Sequence, residues 1–259
     1  MASEARYKLL YDDYESSICI SVPFGKVSWA TVALPLLAFI FCIIYSIIYN
    51  FESTTFSHCH VYNFLPSISS AIGNFSPQRE IWQLAVALHA VPRFCVAIAY
   101  LQYHKEVLYS WAFYLSAFAC FLNVVENFAL IILSFWTSSE NYPIHKTAFI
   151  TFIITSELYM LIAWLLNKRC RRHQRNIAET KSLKWKKRLV IFNISCIITA
   201  TYFFFRHNMW CEKYVYSAFA FFEYMVVLSN MAFHMTAYLD FKERNLVVST
   251  SGVSLRYDR

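Results

Sequence analysis

The sequence predicts an all-α membrane protein, a polytopic bundle of six transmembrane helices with both termini in the cytosol. Three observations predict this fold. Of the 259 residues, 58% are hydrophobic and only three are glycine. Several apolar segments continue without interruption for about twenty residues, the length that crosses the hydrocarbon core of a bilayer. These segments do not alternate between polar and apolar residues, which argues against a β-barrel.

The chain divides into three parts. Residues 1–28 are mixed in charge and too polar to begin a signal peptide, so we expect an unstructured cytosolic segment. Residues 29–237 form the six-span transmembrane domain, and residues 238–259 form a polar cytosolic tail. The expected spans are, in order, residues 29–49, 81–101, 108–135, 147–166, 189–205 and 214–237.

The connections between the spans differ in character. Residues 50–79 form a long polar loop, and residues 102–107 are expected to be a short hinge between the second and third spans. Residues 167–188 contain ten Lys and Arg side chains. Such a basic segment orients the chain and attracts anionic lipid on the cytosolic side, an interpretation we favour over a protein-binding site.

The distribution of basic residues predicts the orientation. An even number of spans places both termini on one side, and that side carries eighteen of the 23 Lys and Arg residues. The opposite side carries four, and Arg93 lies within a span. Because cytosolic loops are enriched in Lys and Arg, the loop 50–79 is expected to be lumenal. The net charge of +7 follows from these short loops, so we expect no nucleic-acid partner.

Two features of the non-cytosolic loops agree with this orientation. Cys59 and Cys211 are the only cysteines in these loops, where a disulfide persists, so we expect them to pair; the alternative is two free thiols. Asn74-Phe75-Ser76 is a glycosylation sequon in the same loop, close to the membrane.

The most informative segment lies inside the third span. Asn123, Glu126 and Asn127 are spaced at i, i+3 and i+4, so they share one helical face. Glu126 is the only charged residue between Leu108 and Phe135. A charged side chain within a span is costly and usually faces the bundle interior or a watery cavity. We therefore expect the other helices to pack around this face.

Polar residues of other spans are expected to lie at a similar depth. His89, Glu126 and Glu223 are each about nine residues from the lumenal end of their span, so each lies roughly 14 Å below the boundary. The sequence thus predicts a polar chamber that opens to the lumenal leaflet. Its candidate catalytic residues are His89, Glu126, His207 and Glu223, and its candidate substrate-binding residues are Arg93, Asn123, Asn127, Arg206 and Asn208. The alternative is a set of interhelical hydrogen bonds and one ion pair that only specify packing.

These residue types favour a limited chemistry. A histidine near a carboxylate can act as a general base for a hydroxyl nucleophile, and a nearby arginine can hold a phosphate or an oxyanion. His58 and His60 flank Cys59, but ligands from a single segment are a weak signal, and no metal site is expected. The sequence contains no P-loop, no Gly-rich dinucleotide turn, no His-Glu-x-x-His and no Gly-x-Ser-x-Gly motif.

Several separate motifs together resemble one family. These motifs are His89-Ala90-Val91-Pro92-Arg93-Phe94, Leu122-Asn123-Val124-Val125-Glu126-Asn127, Phe205-Arg206-His207-Asn208-Met209 with Cys211-Glu212, Glu223-Tyr224, and Asn230-Met231-Ala232-Phe233-His234-Met235-Thr236-Ala237. With the loop segment 64–73, they resemble the post-GPI-attachment-to-proteins factor two group of the wider FRAG/DRAM family. The resemblance extends from about residue 24 to residue 245.

The resemblance implies a protein of the Golgi or endoplasmic reticulum membrane that takes part in fatty-acid remodelling of GPI anchors. In that pathway a lyso-GPI, which has lost its unsaturated sn-2 chain, is reacylated with a saturated chain, typically stearoyl. GPI-anchored proteins would be the substrates, and membrane lipids the other partners. No bound cofactor is implied; the co-substrate would be an acyl donor, either acyl-CoA or a phospholipid. The resemblance leaves open whether such a protein is the acyltransferase or a non-catalytic partner that presents lyso-GPI to another enzyme.

Overall fold

Six long helices dominate the computed structural model, which describes residues 18–249 and 252–257. Each is long and apolar enough to cross a membrane. The helices are α1 (Phe24–Tyr49), α2 (Phe51–Thr55), α3 (Ile68–Gly73), α4 (Gln78–Val107), α5 (Phe113–Phe135), α6 (Tyr142–Arg169), α7 (Ile177–Trp210), α8 (Val215–Met235) and α9 (Ala237–Asp240). The strands are β1 (Ile18–Pro23), β2 (Arg244–Ser249) and β3 (Gly252–Tyr257).

Local sequence signals define where the long helices begin and end. The side chain of Asn141 accepts a hydrogen bond from the backbone of Ile144 at the start of α6. At the start of α7, Asn176 and Glu179 form a capping box, in which each side chain accepts from the other's backbone N–H. Helix α7 ends at Trp210, because the next residue, Cys211, has a left-handed φ of 48° that does not continue the helix.

Large apolar side chains on the outer surface are what a bilayer requires. Leu37, Val91 and Ile198 are 65%, 67% and 65% exposed, although each lies in the middle of a long helix. Such side chains are in contact with lipid in a membrane protein, so their exposure carries no cost. The structure is therefore mostly helical and polytopic, as predicted.

The all-α prediction is incomplete, because a small sheet closes one end of the bundle. Strand β2 pairs antiparallel with both β1 and β3, in the order β1-β2-β3. The expected unstructured lead-in thus forms a strand at residues 18–23 and the start of α1 at Phe24; residues 1–17 lie outside the described residues. The polar tail likewise supplies α9, β2 and β3. The paired segments lie far apart in the sequence, so the local sequence of either one does not predict the sheet.

Two connections also differ from the predicted ones. Residues 102–107 were expected to be a hinge, but they are the last turns of α4, and the chain turns only after Val107. Within the basic segment 167–188, residues from Ile177 onward are helical and extend α7 before the predicted span. Charged residues mark the end of an apolar run, whereas the helix continues into the aqueous phase beyond it.

Different interactions stabilise the two ends of the bundle, which we call the sheet end and the disulfide end. At the sheet end, Lys186 and Asp240 form a buried ion pair, and Arg171 lies 2.6 Å from Glu179. At the disulfide end, Cys59 of the 56–67 loop is bonded to Cys211, as expected from the sequence. The loop 136–141 and the start of α6 also lie at the disulfide end.

Candidate functional site

The helices enclose a cavity of about 330 Å³. Side chains from all six long helices line it, and α3 covers it at the disulfide end. Its wall is mostly apolar and includes Leu130, Phe152 and Val226. Polar groups interrupt this wall at a few places, among them Ser69, His89, Arg93, His145, Glu223 and His234.

An ion-pair cluster lies at the centre of the bundle, where it borders the cavity. Arg93 Nη2 is 2.6 Å from Glu126 Oε1, and the Glu126 side chain is fully buried. Asn230 donates to the same oxygen at 3.0 Å, and His234 Nε2 lies 3.3 Å from it. Because Glu126 neutralises Arg93, this arginine does not present a free positive charge to a phosphate group.

The residues that surround Glu126 are not the ones that the sequence placed at its depth. Counting from the span ends places Glu126 level with His89 and Glu223. The structure instead pairs it with Arg93, one turn further along α4 than His89, and with Asn230 and His234 of α8. The predicted span ends misplaced the helices relative to one another, because α4 begins at Gln78, three residues before the predicted second span, whereas α5 ends at Phe135, as predicted.

His89 lines the cavity and has an unused hydrogen-bond acceptor. Its Nδ1 lies 2.9 Å from the carbonyl oxygen of Val86. Because a carbonyl oxygen only accepts, Nδ1 carries the hydrogen and Nε2 carries the lone pair. This Nε2 is buried and has no hydrogen-bond partner in the protein. It can therefore accept a hydrogen bond from a hydroxyl group of a bound molecule.

Glu223 connects α8 to the segment that covers the cavity. Its Oε2 accepts a hydrogen bond from the backbone N–H of Ile68 at 2.9 Å. The neighbouring Tyr224 hydroxyl donates to the carbonyl of Pro66 at 2.5 Å. Ser217, earlier on α8, accepts from the backbone N–H of Phe64 at 2.8 Å. Helix α8 thus fixes the residues before α3, and Glu223 positions that helix.

A serine and a histidine that the sequence analysis did not single out meet at the disulfide end of the cavity. Ser69 Oγ of α3 lies 2.9 Å from His145 Nε2 of α6, and His145 Nδ1 lies 2.9 Å from the carbonyl oxygen of Trp136. Both side chains line the cavity. Seventy-six residues separate them. No motif of fixed spacing therefore connects the two in the sequence.

The remaining predicted residues do not line the cavity. Asn127 is buried on α5 and donates to the carbonyl of Ala90 at 3.1 Å, so it joins α5 to α4. Asn123 is buried on the same helix, with its Oδ1 unpaired. Arg206 pairs with Glu212 at 2.8 Å and is partly exposed, and Asn208 donates to Phe204 of its own helix.

His207 lies beside the disulfide rather than in the cavity. Its ring is fully buried, without a hydrogen-bond partner on either nitrogen, and its centroid is 5.3 Å from that of His58. Possible ligand atoms of His58, Cys59 and His207 lie within 4.8 Å of one another. Since the Cys59 sulfur is bonded to Cys211, this group offers two imidazoles and no thiolate to a metal ion.

Six apolar helices around a mostly apolar cavity with buried polar groups define a polytopic membrane protein with an internal cavity. The chain belongs to the Frag1/DRAM/Sfk1/Cwh43P family, whose N-terminal domain model matches residues 23–244. Within that family it belongs to the post-GPI attachment to proteins factor 2 group, which confirms the resemblance seen in the motifs.

Three relatives illustrate the similarity. The chain is 46% identical over 231 residues to post-GPI attachment to proteins factor 2 of Drosophila melanogaster, covering 89% of this chain and 91% of the relative. The Drosophila pseudoobscura pseudoobscura protein of the same name is 47% identical with the same coverage. Acyltransferase PGAP2 of Xenopus tropicalis is 44% identical over 234 residues, covering 90% and 93%. No solved structure matches the chain.

Proposed function

We propose that this protein reacylates lyso-GPI in the membrane of the Golgi or the endoplasmic reticulum, using a saturated acyl chain. The observation that carries the proposal is the cavity of about 330 Å³, whose apolar wall suits an acyl chain and whose few polar groups suit an ester or a hydroxyl. The names of the relatives support it, because one is called an acyltransferase and others are called post-GPI attachment factors.

The reaction transfers an acyl group from a donor ester or thioester to the free sn-2 hydroxyl of lyso-GPI. His89 Nε2, which has no partner in the protein, binds a hydroxyl group of the acceptor lipid. Glu223 contributes by holding α3 over the cavity. Glu126 contributes by neutralising Arg93, which keeps the central part of the cavity free of unpaired charge.

The orientation predicted from the basic residues places the disulfide end in the lumen. GPI lipids occupy the lumenal leaflet, so the end of the cavity that α3 covers faces the leaflet that holds the substrate. The disulfide between Cys59 and Cys211 supports this orientation, because such bonds persist in oxidising compartments. The acyl donor is acyl-CoA or a phospholipid, and GPI-anchored proteins carry the acceptor.

The test uses the purified full chain in liposomes that contain lyso-GPI and an isotope-labelled stearoyl donor, acyl-CoA in one arm and phosphatidylcholine in the other. Transfer of label to lyso-GPI supports the proposal. Binding of lyso-GPI without turnover from either donor overturns the enzymatic function and supports a protein that presents lyso-GPI to another enzyme.

His89 supplies the variant that places the reaction in the cavity. Replacing it by Phe removes the acceptor for the substrate hydroxyl, and we expect turnover to fall about 10- to 100-fold, the equivalent of one buried hydrogen bond. The matched control is His173→Phe, because His173 is exposed and lies in the turn at the sheet end. Equal turnover in the two variants would place the reaction elsewhere.

A further inference from the structure

The serine and histidine at the disulfide end of the cavity have the geometry of a nucleophile and its base. Ser69 Oγ and His145 Nε2 are 2.9 Å apart, within the range of a hydrogen bond. His145 Nδ1 lies 2.9 Å from the Trp136 carbonyl, which only accepts. The hydrogen is therefore on Nδ1, and Nε2 carries the lone pair that accepts the hydroxyl hydrogen of Ser69. A base held in one tautomer by a third group is the arrangement that activates a serine.

The helix that carries Ser69 is held in place by two other helices and contacts one loop. Glu223 of α8 accepts from the backbone N–H of Ile68, the residue before Ser69. Ser46 of α1 donates to the carbonyl of Ala71 at 2.8 Å. On the side that faces the loop 136–141, a Cβ added to Gly73 would lie 3.3 Å from the Cβ of Thr137. A larger residue at position 73 would therefore push α3 away from this loop and from His145.

The pair also lies at the disulfide end of the cavity, which the proposed orientation turns towards the lumenal leaflet. His145 lies in the first turn of α6, roughly 5 Å along that helix from its first residue. Ser69 belongs to the segment between α1 and α4, at the same end of the bundle. An acyl chain in the apolar cavity would thus place its carbonyl carbon beside Ser69, while the polar headgroup stays outside.

A second serine-histidine pair in this fold has only a structural role and serves as a comparison. His104 Nδ1 lies 2.7 Å from Ser116 Oγ, and both residues are buried. Neither lines the cavity, and the Nε2 of His104 has no partner. Ser69 and His145 differ from that pair in two respects: they face a space that can hold a substrate, and the histidine is oriented by a further hydrogen bond.

We propose that Ser69 is the acyl-accepting nucleophile of this protein and that His145 is its base, so that the acyl group passes through an ester on Ser69. The inference rests on the proposed acyl transfer and assigns it a covalent intermediate. In the first half-reaction Ser69 gives its proton to His145 Nε2 and its oxygen attacks the donor carbonyl. The bond from the acyl carbon to the donor's oxygen or sulfur breaks, and that leaving group takes the proton from His145.

The second half-reaction returns the enzyme to its starting state. The sn-2 hydroxyl of the acceptor gives its proton to His145 and attacks the carbonyl of the acyl-Ser69 ester. The bond between the acyl carbon and Ser69 Oγ then breaks, and the serine oxygen takes the proton back from His145. No oxidant, reductant or metal is required. Over the whole cycle the acyl group moves from the donor to the acceptor, and one proton moves from the acceptor hydroxyl to the leaving group of the donor.

The test looks for the intermediate directly. The purified full chain in liposomes receives alkyne-tagged stearoyl-CoA in one arm and phosphatidylcholine with an alkyne-tagged sn-2 stearoyl chain in the other, without acceptor. We expect label on the protein in at least one arm, located by peptide mass spectrometry at Ser69, and its discharge when lyso-GPI is added. Ser69→Ala and His145→Gln should lower labelling and turnover by at least about 100-fold. Ser116→Ala should retain both.

Two controls separate loss of the nucleophile from misfolding and from the choice of an unsuitable acyl donor. Ser69→Cys keeps a nucleophile, and its acyl-enzyme would be a thioester that neutral hydroxylamine cleaves, unlike the serine ester. A long-chain alkyl fluorophosphonate, which loses fluoride to an activated serine, should modify Ser69 in the wild type and in Ser116→Ala.

The outcomes separate this inference from the proposed function. Full turnover in Ser69→Ala overturns the covalent intermediate and leaves the acyl transfer in place. Absence of both acyl and fluorophosphonate label from Ser69 in a protein that transfers acyl groups also overturns it. Label on Ser69 that is not discharged by lyso-GPI supports the nucleophile and overturns lyso-GPI as the acceptor.

Discussion

At the scale of single residues, the buried ion pair of Arg93 and Glu126 is predicted to have a large effect on stability. The two side chains are 8% and 0% exposed and 2.6 Å apart. A buried ion pair costs much to desolvate, and removing one partner leaves the other charge without compensation. The pair thus makes α4 and α5 depend on each other, with Asn230 of α8 as a third contributor.

Replacing Glu126 by Gln should therefore lower stability by about 3–5 kcal/mol, because Arg93 would remain buried without its counter-charge. The measurement is thermal unfolding of the purified protein in detergent. The double variant Arg93→Met, Glu126→Met should recover part of the loss, since it removes both charges.

Glu140→Gln is the matched control for that measurement. Glu140 pairs with Arg79 at 3.3 Å, but the two side chains are 49% and 40% exposed. An exposed pair contributes about 0–1 kcal/mol, so this variant should unfold almost as the wild type does. Equal losses in Glu126→Gln and Glu140→Gln would contradict a desolvated pair at the centre of the bundle.

At the scale of elements, the loop 56–67 is held against the ends of two helices. Its Cys59 is bonded to Cys211 at the end of α7, and the carbonyl of Tyr62 accepts from the backbone of Tyr214 at 3.1 Å. The backbone of Phe64 donates to Ser217 at the start of α8. This loop leads directly into α3, so its attachment fixes the segment that covers the cavity.

Removing the disulfide should loosen this loop more than the rest of the bundle. In the double variant Cys59→Ser, Cys211→Ser we expect a loss of about 2–5 kcal/mol. Amide hydrogen exchange should become faster between residues 56 and 73 and should stay unchanged in α5. Cys196→Ser is the control, because Cys196 is a buried free cysteine on α7. Unchanged exchange in the loop would show that its hydrogen bonds to α8 hold it without the disulfide.

At the scale of the whole molecule, the two ends of the bundle should face different compartments. The sheet end carries the basic turn between α6 and α7, and the disulfide end carries the loops that cover the cavity. The positive-inside rule predicts that the first end lies in the cytosol and the second in the lumen.

Labelling of single cysteines tests this orientation. In a background where the other free cysteines are replaced by Ala, His173→Cys should react with a membrane-impermeant maleimide in intact microsomes. Ser139→Cys, in the loop between α5 and α6, should react only after the membrane is permeabilised. The opposite pattern would place the cavity's covered end in the cytosol and remove its access to GPI lipids.

Much of this architecture could be predicted from the sequence, because the bilayer imposes simple rules on a chain. An uninterrupted apolar run must be a helix, since no water is present to satisfy its backbone. A carboxylate such as Glu126 must face inward, which the structure shows. Cys59 and Cys211 were the only two cysteines available to pair at their end of the bundle. The first two inferences depend on one segment at a time, and the disulfide needed only the count of cysteines on one side of the membrane.

Only the tertiary structure decided which polar groups meet. The strand at residues 18–23 exists because it pairs with β2, which lies far away in the sequence. Glu126 pairs with Arg93, whereas the sequence had placed it level with Glu223. Ser69 and His145 carry no catalytic signal of their own, because Ser69 is one of several serines in the polar loop 50–79 and His145 lies just before the fourth predicted span. Hydrogen bonds form between atoms a few ångströms apart, whereas sequence patterns describe neighbours along the chain. The sequence by itself thus determined six helices and the inward face of the third, and the packing of those helices decided which side chains share the cavity.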